Sequence, residues 1–87
     1  MRKTIGYRTD DELEVAQELA RATAKFGPMA SAHEGLAVIE EEFLELQLAV
    51  YWGVDHHGKP ADPHSEVVQL AAMCFRFLRD VPAKPIA

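Results

Sequence analysis

The chain has 87 residues, of which 48% are hydrophobic and 26% are charged. This balance is typical of one globular domain and excludes an intrinsically disordered chain. The formal net charge of -5 excludes a general nucleic-acid binder and a protein of anionic membrane surfaces, because both carry a basic footprint. No run of residues approaches the ~20 apolar positions that span a bilayer, so neither nucleic acid nor a membrane is an expected partner.

The single cysteine, Cys74, excludes an internal disulfide framework and fits a reducing compartment. No apolar segment follows the basic residues at the N-terminus, so a signal peptide is not indicated. We therefore expect a cytoplasmic protein. Because Cys74 lies in an apolar run, we expect a small buried side chain rather than a reactive thiol.

The first predicted helix follows an N-terminal arm, residues 1–8, that has no helical pattern. Thr9 and Glu12 form a capping box that opens the helix. Gly27 and Pro28 end it, because glycine allows a left-handed exit and proline cannot continue a helix. Apolar residues recur between these ends at helical spacing and predict a core stripe. The stripe consists of Val15, Leu19, Ala22 and Phe26.

The second predicted helix carries most of the acidic residues of interest. Ser31 and Glu34 form its capping box, and Gly53 ends it after residue 52. At ~100° per residue the helix has an apolar and an acidic face. The apolar face, expected in the core, contains Ile39, Phe43, Leu46 and Val50. The acidic face contains Glu34, Glu41, Glu45 and Trp52, with Glu42 at its flank.

The third predicted helix follows a connector, residues 53–62, that is rich in glycine and histidine. Asp62 provides an N-cap and Pro63 the first helical position. The helix is predicted over Pro63–Asp80, and residues 81–87 form a tail. One face is expected in the core: Val67, Ala71, Cys74 and Leu78. A second line of residues contains Glu66, Gln69, Met73, Arg76 and Asp80.

The pattern of these segments predicts an all-α fold. No alternating run of residues is bounded by hairpin turns, so no strand is expected. We expect a single domain over residues 1–87, built from three helices. Because the connector is short, the second and third helices are expected to form an antiparallel pair.

The acidic face of the second helix has two interpretations. Glu41, Glu42 and Glu45 are surface neighbours, and like charges at this spacing cost a few tenths of a kcal/mol per pair. A divalent cation removes that cost, and oxygen ligands suit Mg²⁺ or Mn²⁺. Alternatively, the glutamates form a solvated surface that favours the helix. In an antiparallel pair, Glu66 would face Glu42 and Glu45, which favours the metal site.

The spacing of these acids carries a resemblance to a known family. Glu42 and Glu45 form E-x-x-E on one helix, Glu66 begins a second motif on the next, and Trp52 follows Glu42 by ten residues. Over residues 31–80 the chain resembles the MazG-like superfamily of all-α nucleoside triphosphate pyrophosphatases. Their second motif is E-x-x-D, and Gln69 stands where the aspartate is expected.

The resemblance implies Mg²⁺-dependent hydrolysis, with Mn²⁺ as a possible substitute, of a nucleoside or deoxynucleoside triphosphate to the monophosphate and pyrophosphate. It also implies a homodimer, or a higher homo-oligomer, with a four-helix core shared by two chains. The implied catalytic residues are Glu42, Glu45 and Glu66. The implied metal ligands are Glu41, Glu42, Glu45, Glu66 and Gln69. The expected substrate-binding residues are Trp52 for the base, with Arg76 and Lys59 for the phosphates.

Alternatives remain open for several of these residues and for the whole protein. Trp52 can be a core aromatic, and Arg76 can pair with Asp80 or with acids of the first helix. His56 and His57 are interpreted as solvated loop side chains, because adjacent side chains rarely converge on one metal. The chain can also be a catalytically degenerate helical dimer that binds a nucleotide or a protein partner, or an interaction module with a solvated glutamate face.

Overall fold

A computed structural model of the protein describes residues 10–84 and contains three helices. These are α1 (Asp10–Phe26), α2 (Ala32–Trp52) and α3 (Pro63–Asp80). No strand occurs in this part of the chain, where Val54 and Pro60 form an isolated bridge. The predicted all-α fold of three helices is confirmed. The predicted arm and the Thr9 cap lie outside the described residues, as do the last three residues of the tail.

The ends of α2 and α3 lie where the sequence predicts them. Ser31 Oγ accepts a hydrogen bond from the Glu34 backbone N–H at 3.1 Å. Asp62 caps α3 in the same way by accepting from the His64 backbone N–H. Gly53, with φ of 69°, ends α2 in a left-handed conformation that other residues rarely adopt. These caps satisfy backbone groups that a helix end leaves unpaired.

α3 is the helix in the middle of the molecule, since it packs against both α1 and α2. The Met29 backbone N–H donates to Asp80 Oδ2 at 2.9 Å, so the start of α2 lies beside the end of α3. This contact confirms the antiparallel pair. His64 Nε2 lies 3.0 Å from Glu14 Oε1, which places the beginnings of α1 and α3 together and makes these two helices parallel.

The core of the protomer is small. Val15, Leu19, Val38 and Ile39 pack around it and are themselves half-buried. In the described part of the chain no large side chain is completely buried. The buried apolar residues are Ala22, Met29, Ala49, Ala72 and Met73. Among the described residues, the buried apolar side chains are therefore those of alanine and methionine, and alanine buries less surface than leucine or phenylalanine.

The predicted core stripe of α2 is only partly correct: Ile39 packs against the core and Leu46 is half-buried, but the other two residues are exposed. Phe43 is 50% exposed and Val50 is 58% exposed, and Phe26 at the end of α1 is similarly open. Gly35 is buried against α3 instead, because its missing side chain lets the Phe77 ring approach. The buried and half-buried residues of α2 include Gly35, Val38, Ile39, Glu42, Glu45 and Ala49.

The predicted core face of α3 is also mostly wrong, since Ala71 is its one half-buried member. Val67 and Cys74 are exposed, and Leu78 is 73% exposed. The buried residues of α3 are Ala72, Met73 and Arg76. The physical reason is that α1 and α2 pack on two other sides of α3, which leaves its most apolar stripe open. The expectation of a buried Cys74 thiol is corrected accordingly. None of the described helices combines the length and the apolar character needed to cross a bilayer.

Candidate functional site

Three glutamates meet where α2 packs against the first turn of α3. Glu42 and Glu45 project from α2 towards α3, and Glu66 lies across from them. All three are half-buried, whereas Glu41 is exposed at the edge of the group. The structure thus brings together the three acids that the sequence assigns to catalysis. We call Glu42, Glu45 and Glu66 the acid cluster.

Glu42 has the least favourable electrostatic environment in the acid cluster. Burial raises the pKa of its carboxyl group, and the nearby charges of Glu66, Glu41, Glu45 and Glu18 raise it further. Its Oε2 atom is buried and has no hydrogen-bond partner. Because buried carboxylate oxygens normally find a donor, this oxygen is a position that a cation would satisfy.

Further acidic residues lie near Glu66 in and beside the connector. Burial raises the pKa of Glu66, and Glu45, Asp55 and Asp62 raise it further in that order. Two of these acids belong to the connector or to the α3 cap rather than to α2. The acid cluster is therefore part of a larger acidic surface at one end of the α2–α3 pair.

The connector is an ordered turn. The Asp55 backbone N–H donates a hydrogen bond to the Lys59 carbonyl oxygen at 2.8 Å. The Asp55 carboxylate accepts from the backbone N–H groups of Lys59 and His57, and these bonds lower its pKa. An acid held in this way fixes the turn and presents the intervening His56 to α2.

His56 contacts both oxygens of Glu45. Its ring Nδ1 pairs with Glu45 Oε1, and its backbone N–H donates to Oε2 at 3.2 Å. The sequence interpretation of His56 as a solvated loop residue missed this contact. No local pattern signals it, because the two residues are eleven positions apart and meet only through the turn of the connector.

Glu18 of α1 is a further acid that the sequence did not single out. Its charge helps to raise the pKa of Glu42, and its carboxylate accepts a hydrogen bond from Arg21 Nε at 2.9 Å. A groove of about 310 Å³ lies beside it, between α1 and α3. Gln69 lines this groove, on the α1 side of α3. The position of Glu18 depends on α1 packing against α3, which helical periodicity alone does not predict.

The predicted substrate-binding residues lie in two different places. Trp52 is 75% exposed at the end of α2, and Lys59 is exposed in the connector. The connector contacts the acid cluster through His56 and Glu45, and Trp52 is about 10 Å beyond Glu45 along α2. Arg76 is ten residues beyond Glu66 on α3, which corresponds to about 15 Å along a helix.

Arg76 is buried at the other end of α3. Its Nη2 donates to the carbonyl oxygen of Gly27 at 2.9 Å, and Nη1 lies 3.3 Å from Met73 Sδ. Gly27 follows α1, so the guanidinium sits where the helix dipole favours a cation. These contacts give Arg76 a structural role, and its predicted role with phosphates has no support from its position.

A second group of possible ligands lies at the beginnings of α1 and α3. Asp11, Glu14 and His64 are exposed, and their ligand atoms lie within 4.8 Å of one another. The Glu14 carboxylate, which accepts a hydrogen bond from His64 Nε2, raises the pKa of His64, and this contact links α1 to α3. In the described residues no other set of three or more converges so closely, and the acid cluster is more widely spaced.

The acid cluster nevertheless fits a hard divalent cation by its chemistry. Its donors are carboxylate oxygens, which Mg²⁺ and Mn²⁺ prefer. The Oε2 atom of Glu42 has no hydrogen-bond partner, and burial together with neighbouring acids raises the pKa of both Glu42 and Glu66, so the site has negative charge without enough positive charge nearby. Gln69 can add a carbonyl oxygen but no charge.

Comparisons with known proteins give no guide to this site, since no protein-family model, curated protein or solved structure matches the chain. The similarity to MazG-like pyrophosphatases thus rests on the two motif halves that begin at Glu42 and at Glu66, and on Trp52. Membership of that family stays a prediction.

Proposed function

We propose that the protein is an Mg²⁺-dependent hydrolase, with Mn²⁺ as a possible substitute, that converts a nucleoside or deoxynucleoside triphosphate to the monophosphate and pyrophosphate. The observation that carries the proposal is Glu42, which holds an unpaired buried oxygen beside the like charges of Glu45 and Glu66. This arrangement opposes folding, and such perturbed carboxylates are concentrated at functional sites.

The acid cluster would hold the cation, with Glu41 at its edge; Gln69 would reach it only from the α1–α3 groove, as a neutral oxygen donor. Bound there, the cation would neutralise phosphate charge and lower the pKa of a water molecule. His56 restrains the Glu45 carboxylate through its two contacts. Trp52 offers an open aromatic surface for a base, and Lys59 a cation for the phosphates.

The reaction itself needs one proton acceptor among these residues. The oxygen of water bonds to the α-phosphorus, the bond to the bridging oxygen breaks, and pyrophosphate leaves. The proton of the water passes to a carboxylate of the acid cluster. A carboxylate of the acid cluster that does not bind the cation would be free to take this proton.

Assembly and location belong to the same proposal. A homodimer or higher homo-oligomer would complete a four-helix core, which the alanine and methionine centre of the protomer supports. A cytoplasmic location suits the unpaired Cys74. Because the net charge is -5, we expect a negatively charged substrate to bind through a cation, and we expect neither nucleic acid nor a membrane as partner.

The test is a pyrophosphate-release assay with each common ribonucleoside and deoxyribonucleoside triphosphate, in Mg²⁺ and in Mn²⁺. We expect release from at least one of them, and loss of it in the Glu42→Ala and Glu45→Ala variants. Glu40→Ala is the matched control, because Glu40 is an exposed glutamate of α2 outside the acid cluster. No release by folded protein would reject the proposal, and activity retained by both variants would reject the site.

A second candidate function is a catalytically degenerate dimer that binds a nucleotide or a protein partner. It is favoured by Gln69, which supplies no charge and lies in the α1–α3 groove. Calorimetry with Mg²⁺ and a non-hydrolysable triphosphate separates the two functions, because binding without turnover supports the degenerate site. If neither ligand binds and replacing Glu41, Glu42 and Glu45 with glutamine is harmless, a plain interaction module is supported.

A further inference from the structure

A second groove between α1 and α3 opens onto the core of the protomer. It has a volume of about 370 Å³ and shares no residue with the groove that contains Gln69. Val15 and Leu19 line it and pack against the buried core, yet both are only half-buried. Phe75 of α3 also lines it and is 50% exposed. We call this space the apolar groove, and its lining residues are Asp11, Glu12, Val15, Ala16, Leu19 and Phe75.

The apolar groove has an acidic end at the beginning of α1. The first turn of α1 contains Asp10, Asp11 and Glu12, and the last two of these line the groove. The other end lies beside Leu19, about 12 Å further along α1. Among the described residues, none that lines the groove is basic. A segment that fits this space therefore has apolar side chains for the middle of the groove and a basic side chain for its acidic end.

We infer that the apolar groove is the docking site of this chain's own N-terminal arm, residues 1–8, which precedes the described part of the chain. The arm contains two large side chains with apolar surface, Ile5 and Tyr7, and no acidic residue. Its basic residues are Arg2, Lys3 and Arg8. The charges of the arm and of the first turn of α1 are opposite, so they attract each other. Ile5 and Tyr7 would add apolar contacts beside the small core.

The arm is close enough to reach the apolar groove within one chain. In an extended backbone, Tyr7 lies up to about 10 Å from residue 10 and Ile5 up to about 17 Å. Along α1, Val15 lies about 7.5 Å from residue 10 and Leu19 about 13.5 Å. An arm that doubles back along α1 therefore brings both side chains to the groove, and alternate residues of an extended segment face the same way. Because the tether is short, the arm has a high effective concentration at the groove, which favours it over a separate partner.

Disulfide trapping in the full chain measures this docking directly and does not depend on the proposed activity. With Cys74→Ser as background, Ile5→Cys is combined either with Ala16→Cys inside the apolar groove or with Leu13→Cys on α1 outside it. Both positions are within reach of an undocked arm, which would form the two disulfides at similar rates. A docked arm should form the disulfide to position 16 about tenfold faster.

Three outcomes of the trapping experiment would overturn the inference. Equal rates at positions 16 and 13 would mean that the arm does not select the apolar groove. The absence of any disulfide within one chain would mean that the arm lies elsewhere and that another molecule is needed to fill the groove. A disulfide that forms mainly between two chains would place the arm of one copy on the other.

A double-mutant cycle tests the contact in a chain that keeps its native cysteine. Tyr7→Ser and Phe75→Ser should each raise the equilibrium constant for unfolding about tenfold, because each removes one side of an apolar contact. If the two side chains touch, the double variant should raise the constant by clearly less than the product of the single effects. Tyr51→Ser is the matched control, since Tyr51 is a 70% exposed residue of α2, and its effect should multiply with that of Phe75→Ser. Independent effects of Tyr7→Ser and Phe75→Ser would contradict docking of the arm.

Discussion

At Glu42 the requirements of folding and of the proposed chemistry oppose each other. The pKa of this carboxyl group is raised by burial and by neighbouring acids, so the folded state holds its proton more tightly than the unfolded state does. Its contribution to stability is therefore present at acidic pH and is lost as pH rises through the folded-state pKa. At neutral pH, Glu42→Gln should raise the free energy of unfolding by about 0.5 kcal/mol, because it removes two or more like-charge contacts.

Urea unfolding of Glu42→Gln at neutral and at mildly acidic pH measures this effect. The gain should shrink at acidic pH, where Glu42 in the wild type is protonated and resembles glutamine. Glu40→Gln is the matched control and should leave stability nearly unchanged at both pH values, since Glu40 is exposed. A loss of stability in Glu42→Gln at neutral pH would contradict the view that repulsion dominates at this position.

Arg76 is the residue at which a structural and a substrate-binding role make different predictions. Arg76→Met keeps most of the apolar stem but removes the hydrogen bond to Gly27 O. Because hydrogen bonds to charged groups contribute more than neutral ones, we expect a loss of about 2 kcal/mol in urea unfolding. The exposed Arg79→Met should change stability little. Unchanged stability with a raised KM in Arg76→Met would instead assign Arg76 to the substrate.

At the scale of the helices, Gly35 controls how closely α2 approaches α3. Alanine is favoured over glycine inside a helix by about 1 kcal/mol, so Gly35→Ala would stabilise an isolated α2. In the folded protein its new Cβ would lie 2.5 Å from the Phe77 ring and 3.1 Å from Met29 Sδ. Overpacking of this kind costs about 1–3 kcal/mol, so we expect a net loss of stability of about 1 kcal/mol.

A double-mutant cycle with Phe77→Leu tests the cause of this loss. If the Phe77 ring is the obstacle, Gly35→Ala should be less damaging, or even stabilising, when residue 77 is leucine. Thermal unfolding of the four proteins is sufficient. Additive effects would mean that the Gly35 and Phe77 positions do not interact, and that the close approach of α2 and α3 has another origin.

The ends of α2 and α3 and most of the buried face of α1 could be predicted from the sequence, but the buried faces of α2 and α3 could be predicted only in part. Ser31, Asp62 and Gly53 act through backbone groups a few residues away, so local chemistry determines their roles. Which face of α2 meets α3 depends on contacts between distant residues. The apolar stripes of α2 and α3 were assigned to the core of one protomer, but Phe43 and Leu78 lie on its surface.

The same distinction applies to the acid cluster. Glu42 and Glu45 are neighbours on one helix, and the antiparallel pairing of adjacent helices brings Glu66 to them, so their proximity follows from periodicity and a short connector. Glu18 comes near Glu42 because α1 packs against α3, and His56 contacts Glu45 because the connector turns back towards α2. No sequence pattern encodes these two contacts.

At the scale of the whole molecule, the net charge of -5 and the acid cluster predict different responses to ions. Screening by any salt weakens repulsion across the surface, so Na⁺ should stabilise the protein modestly. A cation held by Glu42, Glu45 and Glu66 would bind the folded state alone, and Mg²⁺ should therefore raise the thermal midpoint more than NaCl at matched ionic strength. Glu42→Gln and Glu45→Gln should reduce the response to Mg²⁺ while keeping the response to Na⁺, and Glu40→Gln should keep both. Equal responses to the two salts in wild type would mean that the acidic surface is only screened and that the acid cluster holds no cation.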